Sequence, residues 1–292
     1  MTSIESKLIP PPLTLGEKWP VTEPWCVLLA SREDPGRQQP APSKRDPLTA
    51  TLRRAATVTS LDRIAAVIAA PAEPWRQSSL KELPSRNLFV QPRQQGTAYE
   101  VLLALLLLES RVAPSTPVLF LPADHVVDDE EVMTNSLMTM IEWIAEESGP
   151  VYLLGALPQG PHDQLGYIIP WHDAILMPTG VYEFVERPDI NRARRLINSG
   201  GLWNTFIFGG SVASLIKLFP PRFDAAIEDL RAALQSDPLD VVRLYDRLTP
   251  VDFSQDLLAR QTDRLKVLRL LRCGWWPLKS PTLTPPLHSA PV

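Results

Sequence analysis

The sequence predicts an α/β fold: a mixed, mainly parallel sheet with helices on both faces and a helical C-terminal part. Three observations carry this. Short apolar runs alternate with helical patterns between residues 88 and 154, the signature of strands joined by crossover helices. The run Pro117–Pro122 (PVLFLP) is apolar, short and stopped by proline, as a strand buried on both faces should be. A chain of 292 residues with 45% hydrophobic content is long enough for one large domain.

Element by element, residues 1–22 read as an extended tail, with Pro10, Pro11 and Pro12 in a row. Trp25–Ala30 (WCVLLA) reads as the first buried strand. Residues 31–47 are polar and proline-rich, hence a loop, and residues 48–57 have helical character. Arg63–Ala70 (RIAAVIAA) fits a strand or a buried helix equally, because a wholly apolar run has no period. Leu88–Val90 is a short strand before Pro92, and residues 97–111 are a helix. Residues 129–147 are an amphipathic helix with Met133, Leu137, Met140, Ile141 and Ile144 on one face. Val151–Leu154 is a strand that Gly155 should end. Gly166–Ile169, Gly180–Val185 and Leu202–Phe208 are strands, and residues 189–199 a helix. Helical stretches follow at 211–218, 222–235 and 238–248, with a last strand at Val267–Leu271. Residues 277–292 hold five prolines and read as a disordered tail. The domain body is therefore 23–276, and no internal repeat is visible.

Composition narrows the function classes. The net charge of −4 gives no reason to expect nucleic acid or an anionic membrane as main partner. Cys26 and Cys273 are the two cysteines, too few for a disulfide framework or a metal cluster, which suits a reducing cytoplasm. The N-terminus lacks the basic start and apolar core of a signal peptide. The most apolar run, Val101–Leu108, is far shorter than the roughly 20 residues a membrane span needs.

Local stretches then point to chemistry. In order, they are Gln91-Pro92 followed by Gly96-Thr97-Ala98; Pro122-Ala123-Asp124-His125; Gly155-Ala156-Leu157-Pro158; Gly166-Tyr167-Ile168; Phe184-Val185-Glu186-Arg187-Pro188-Asp189; and Leu202-Trp203-Asn204-Thr205-Phe206-Ile207-Phe208. Over residues 88–210 this series resembles the sugar-phosphate nucleotidyltransferases, most closely the bacterial mannose-1-phosphate guanylyltransferases. The resemblance implies a Rossmann-like nucleotidyltransferase fold. In the reaction it implies, a sugar phosphate oxygen attacks the α-phosphorus of a nucleoside triphosphate and pyrophosphate leaves. Such a site works by positioning and charge neutralisation.

The resemblance also implies roles. Asp124, just past the best strand, would be a Mg²⁺ ligand. Gly155, Gly166, Tyr167, Glu186, Arg187 and Asn204 would form the sugar side. Ala30, Arg32, Gln94, Gln95, Gly96 and Thr97 would line the nucleotide. Arg187 stands where the family has lysine, so a planar fork replaces a point charge. His125 is assigned no role.

Other parts depart from the pattern. The family's loop of the form G-G-x-G-T-R-L-x-P is replaced by Ser31-Arg32-Glu33-Asp34-Pro35-Gly36-Arg37-Gln38-Gln39-Pro40. Side chains and Pro35 obstruct backbone approach to phosphate, and Glu33 and Asp34 add negative charge. The second metal aspartate of W-S-D-L-G-T-P is Pro277 in Trp275-Trp276-Pro277-Leu278-Lys279-Ser280-Pro281, and proline cannot bind a cation. The family's Asn-Arg before its x-T-A is Gln94-Gln95.

Three readings stand at this point. One is a weak or inactive relative that binds a nucleotide sugar or sugar phosphate as a sensor or regulatory partner of an active guanylyltransferase, or of itself as an oligomer. Another is a working enzyme that rebuilds its phosphate site from Arg32, Arg37, Lys44 and Arg45. The last is a structural interaction protein with a closed pocket.

Overall fold

The structure, a computed structural model, describes residues 23–31, 46–70, 79–175 and 177–278. The strands are β1 (Trp25–Leu29), β2 (Ile64–Ala69), β3 (Leu88–Gln91), β4 (Pro117–Pro122), β5 (His125–Val126), β6 (Val151–Ala156), β7 (Tyr167–Pro170), β8 (Thr179–Val185), β9 (Leu202–Ser211), β10 (Leu265–Leu270) and β11 (Trp276–Pro277). The helices among the described residues are α1 (Pro47–Ala56), α2 (Thr97–Glu109), α3 (Glu130–Glu146), α4 (Ile190–Asn198), α5 (Val212–Ile216), α6 (Asp224–Leu234), α7 (Pro238–Tyr245) and α8 (Phe253–Asp256).

Nine strands form one sheet in the order β3-β2-β1-β4-β9-β6-β10-β8-β7, with β7 also paired to β9. β1, β2, β3, β4, β6, β7 and β10 run one way, and β8 and β9 the other. The predicted mixed, mainly parallel sheet is therefore what the chain forms. Alternation along β1 shows how the sheet separates two cores: Trp25, Val27 and Leu29 pack on one face with α2 and the C-terminal helices. Cys26, Leu28 and Ala30 pack on the other with α1, α3 and α4. Helices cover both faces, as predicted.

Capping explains where most helices begin. Asp46, Asp129, Asp189, Ser211, Asp237 and Asp252 each accept a backbone N–H from the first turn of α1, α3, α4, α5, α7 and α8. Helix α2 has no such cap: it starts at Gly96, with φ +83. It is buried almost all round, which is why its sequence carries no amphipathic period.

The structure settles or amends several readings. Arg63–Ala70 is a strand, β2. Gly155 does not end its strand, because β6 continues to Ala156. Leu202–Phe208 extends to Ser211 as β9. The two-stranded pairing of β11 with β5 has no counterpart in the sequence reading; it places Pro277 opposite His125.

Both cysteines are buried free thiols. Burial pushes the Cys26 thiol up to about 12 and the Cys273 thiol up to about 11. Thiolate is the reactive form, so neither should react with Ellman's reagent at pH 8 in the folded protein, and both should react in denaturant. Rapid native labelling of Cys273 would contradict the described packing of residues 271–275.

Candidate functional site

The C-terminal ends of parallel strands in an open sheet are where ligands bind, and the predicted residues can be followed from there. Asp124 lies two residues past β4. It sits in the turn before β5, with its side chain 26% exposed. Its backbone carbonyl accepts the Leu278 N–H at 3.0 Å, and its Oδ1 is 3.9 Å from His125 Nε2. The Trp275 indole N–H donates to His125 Nδ1 at 3.2 Å. The imidazole is thereby buried against Trp275, edge to face. Pro277 pairs with His125 on the same small sheet, so the second position of the expected metal pair offers no side-chain oxygen. Among the described residues, no three His, Cys, Asp or Glu side chains group as a metal site would need.

The residues that the resemblance assigns to a sugar side come together. Gly155 is in register with Asn204 across β6 and β9. The Asn204 N–H donates to the Gly166 carbonyl at 2.8 Å. A Cβ on Gly166 would lie 2.5 Å from Glu186 Oε2 and 3.3 Å from Asn204 Cβ, so Glu186 and Asn204 close over Gly166, and a side chain there would have to displace the Glu186 carboxylate. The Glu186 side chain is 11% exposed, and its Oε1 is 3.6 Å from Arg187 Nε. Arg187 has φ 46, a left-handed conformation that costs a non-glycine residue on the order of 1–3 kcal/mol. That turn leaves its guanidinium between Glu186 and Asp252, whose Oδ2 is 3.8 Å from Nη2. Tyr167 contributes differently. It is fully buried, and its hydroxyl bonds both the N–H and the carbonyl of His162, so it props the 162–166 turn.

Asn204 is held rather than free to rotate. Its Oδ1 accepts the Phe206 N–H at 3.0 Å, and its Nδ2 donates to Ser254 Oγ at 3.4 Å. Phe206 has φ 57, and the β6–β9 register shifts between Leu153 and Gly155. This is a bulge of the kind that re-aims side chains beside functional sites. Thr205 completes it by donating to the Leu154 carbonyl at 2.6 Å.

The nucleotide-side residues are tied into the scaffold. Ala30 N–H donates to the Val67 carbonyl at 2.9 Å. Gln94 Nε2 donates to the Ser31 carbonyl at 2.8 Å, and Gln95 Nε2 to the Tyr245 carbonyl at 2.8 Å. The Thr97 hydroxyl accepts the Phe253 N–H at 2.8 Å, and Gly96 abuts the Val251 backbone. The Ser31 N–H donates to Glu100 Oε1 at 3.3 Å, so a buried carboxylate meets the chain where β1 ends. Arg32, Gly36, Arg37, Lys44 and Arg45, with the loop that holds Glu33, Asp34 and Pro35, lie outside the described residues, as do residues 279–292.

Sequence reasoning missed Asp252 and Ser254, which touch Arg187 and Asn204. Asp252 gives no separate signal because it also caps α8 through the Gln255 N–H. Ser254 gives none at all.

Comparison with known proteins identifies the family. A family model described as Nucleotidyl transferase matches residues 37–237. The alginate biosynthesis protein AlgA of Pseudomonas fluorescens is 32% identical over 209 residues, covering 68% of this chain and 42% of that protein. A mannose-1-phosphate guanylyltransferase of Salmonella muenchen is 28% identical over 199 residues, 65% of this chain and 41% of that protein. The chain thus spans about two fifths of the length of these curated relatives. Among solved structures, a Thermus thermophilus protein titled mannose-1-phosphate geranyltransferase superposes with TM-score 0.72 at 25% identity, covering 87% of this chain and 76% of that one. A Helicobacter pylori protein titled mannose-6-phosphate isomerase shares the fold, with TM-score 0.70 at 15% identity, over 87% of this chain and 99% of its own. No described helix is long and apolar enough to cross a membrane. With a family match over more than half its length, on a sheet whose strand ends carry the site just described, this chain belongs to the nucleotidyl transferase family.

Proposed function

We propose that this mannose-1-phosphate guanylyltransferase-like domain binds a nucleotide sugar or sugar phosphate and catalyses nucleotidyl transfer weakly or not at all. It would then serve as a sensor or as a regulatory partner of an active guanylyltransferase. The observation that carries this reading is Pro277 held opposite His125 beside Asp124. A Mg²⁺ ion that neutralises a triphosphate needs several oxygen ligands and keeps near-ideal octahedral geometry. The resemblance supplies Asp124 as one ligand, Pro277 at the second position adds no side-chain oxygen, and among the described residues no group of three His, Cys, Asp or Glu side chains makes up for it.

Two further features support the reading. The buried Glu100 side chain accepts the Ser31 N–H, so the first backbone donor beyond Ala30 is already engaged rather than open to a phosphate. On the sugar side, Gly155, Gly166, Glu186, Arg187 and Asn204 remain grouped. Arg187 would donate to the diphosphate or sugar, Glu186 and Asn204 would accept from and donate to sugar hydroxyls, and the buried rings of Tyr167 and Trp203 would keep that pocket rigid.

The test is calorimetry. GDP-mannose carries the sugar and has one phosphate fewer than GTP, so it should bind more tightly than GTP, with little dependence on Mg²⁺. Arg187→Ala should weaken GDP-mannose by roughly ten-fold, the worth of one charge-assisted hydrogen bond. Tighter binding of GTP, or an Arg187→Ala variant indistinguishable from wild type, contradicts the assignment of the sugar side. Binding of neither nucleotide favours the structural class.

A further inference from the structure

A groove of about 420 Å³ lies on the α2 side of the sheet, lined among others by Tyr99, Arg222, Phe223, Arg247, Thr249 and Asp256. It shares no lining residue with the sugar-side group. Its walls come from the first turn of α2, the 3-10 turn Pro221–Phe223 and the segment after α7.

The charges in this groove do not cancel. The Arg247 side chain makes no hydrogen bond or ion pair with any described residue. Arg222 reaches only a backbone carbonyl, that of Asp256 at 3.3 Å, and lies 5.2 Å from the Phe223 ring centre. The Asp256 carboxylate is engaged elsewhere: Oδ2 accepts the Asp252 N–H at 3.1 Å, and Oδ1 is 3.5 Å from Arg260. The hydroxyls of Tyr99 and Thr249 have no hydrogen-bond partner among the described residues. Burial pushes the Tyr99 phenol up, with the Arg222 charge opposing, so it stays a protonated donor. The residues lining this one concave space thus supply two guanidinium and two hydroxyl groups beside the Phe223 ring. Two positive charges match a dianion, and guanidinium geometry matches phosphoryl oxygens.

We propose that this groove binds the phosphoryl group of a small phosphorylated metabolite, with Arg222 and Arg247 as its counter-charges. The site bears on the sugar side through one short segment. Val251, which also lines the groove, exchanges backbone hydrogen bonds with Gln95 and Ala98 at 3.1 Å each. The next residue, Asp252, faces Arg187.

Inorganic phosphate is the probe, titrated calorimetrically at low ionic strength, with acetate as the carboxylate control. Phosphate should bind more tightly than acetate. Arg222→Ala with Arg247→Ala should weaken it by about ten-fold per arginine, whereas Arg187→Ala should leave it within two-fold, which separates this site from the proposed sugar side. Phosphate should also slow amide exchange in residues 247–253. If the double variant melts at a lower temperature than wild type, Arg247→Gln alone replaces it, with the same ten-fold loss expected. No phosphate binding at millimolar concentrations overturns the proposal. So does binding that survives loss of both arginines, binding abolished by Arg187→Ala, or acetate binding as tight as phosphate.

Discussion

Gly96→Ala should cost at least about 3 kcal/mol of stability and lower Tm by roughly 6–12 °C. Gly96 has φ +83, and an added Cβ would stand 2.2 Å from the Val251 carbonyl oxygen and 2.7 Å from that residue's C and N. The neighbour is backbone and cannot rotate away. It is held there by the Ala98 N–H to Val251 carbonyl bond and the Val251 N–H to Gln95 carbonyl bond, both 3.1 Å. Relieving the clash breaks those bonds, each worth about 1 kcal/mol. The left-handed conformation adds about 1–2 kcal/mol for a residue with a side chain. The effect should reach function as well, because residues 251–254 carry Asp252 and Ser254 against Arg187 and Asn204. Thermal unfolding of Gly96→Ala beside Gly149→Ala checks this. Gly149 has no atom within 4 Å of an added Cβ, so its variant should stay within about 0.5 kcal/mol of wild type. Equal melting temperatures for the two variants would contradict the account of how α2 is anchored.

The same residues show what can be read in advance. Apolar runs such as Val118–Leu121 announce strands because both faces of this sheet are covered by helices. That coverage is also why Arg63–Ala70 is ambiguous in sequence: a strand buried on both faces loses the alternation that would mark it. Gly155 reads as punctuation. Its place inside β6 follows from packing, since an added Cβ would stand 2.8 Å from Leu202 Cδ1, and sequence neighbours cannot report that contact. The β5–β11 pair is two residues on each side, too short for any period, and proline argues against a strand. Pro277 is tolerated there because β11 is an edge with a single partner.

The site divides along a similar line. Gly166, Glu186, Arg187 and Asn204 are legible as local motifs, and their meeting is legible only through the resemblance. The anchoring roles of Gln94, Gln95 and Thr97 are not legible, because their partners Ser31, Tyr245 and Phe253 are 63, 150 and 156 residues away in the chain.

The largest expected effect is on turnover. Losing one donor that stabilises transition-state charge costs about a hundred- to a thousand-fold in rate. Here the glycine-rich loop is replaced in sequence, Pro277 stands where the resemblance puts the second metal aspartate, and the Ser31 N–H is already bonded to Glu100. These departures bear on the same triphosphate, so their costs compound to well beyond a thousand-fold. The most direct measurement is pyrophosphate release from GTP and mannose 1-phosphate with Mg²⁺, followed by a coupled phosphate assay against a no-protein control. The predicted result is release indistinguishable from the control for wild type and Asp124→Asn alike. Sustained release by the wild type that Asp124→Asn abolishes would contradict the account and make this chain a working nucleotidyltransferase.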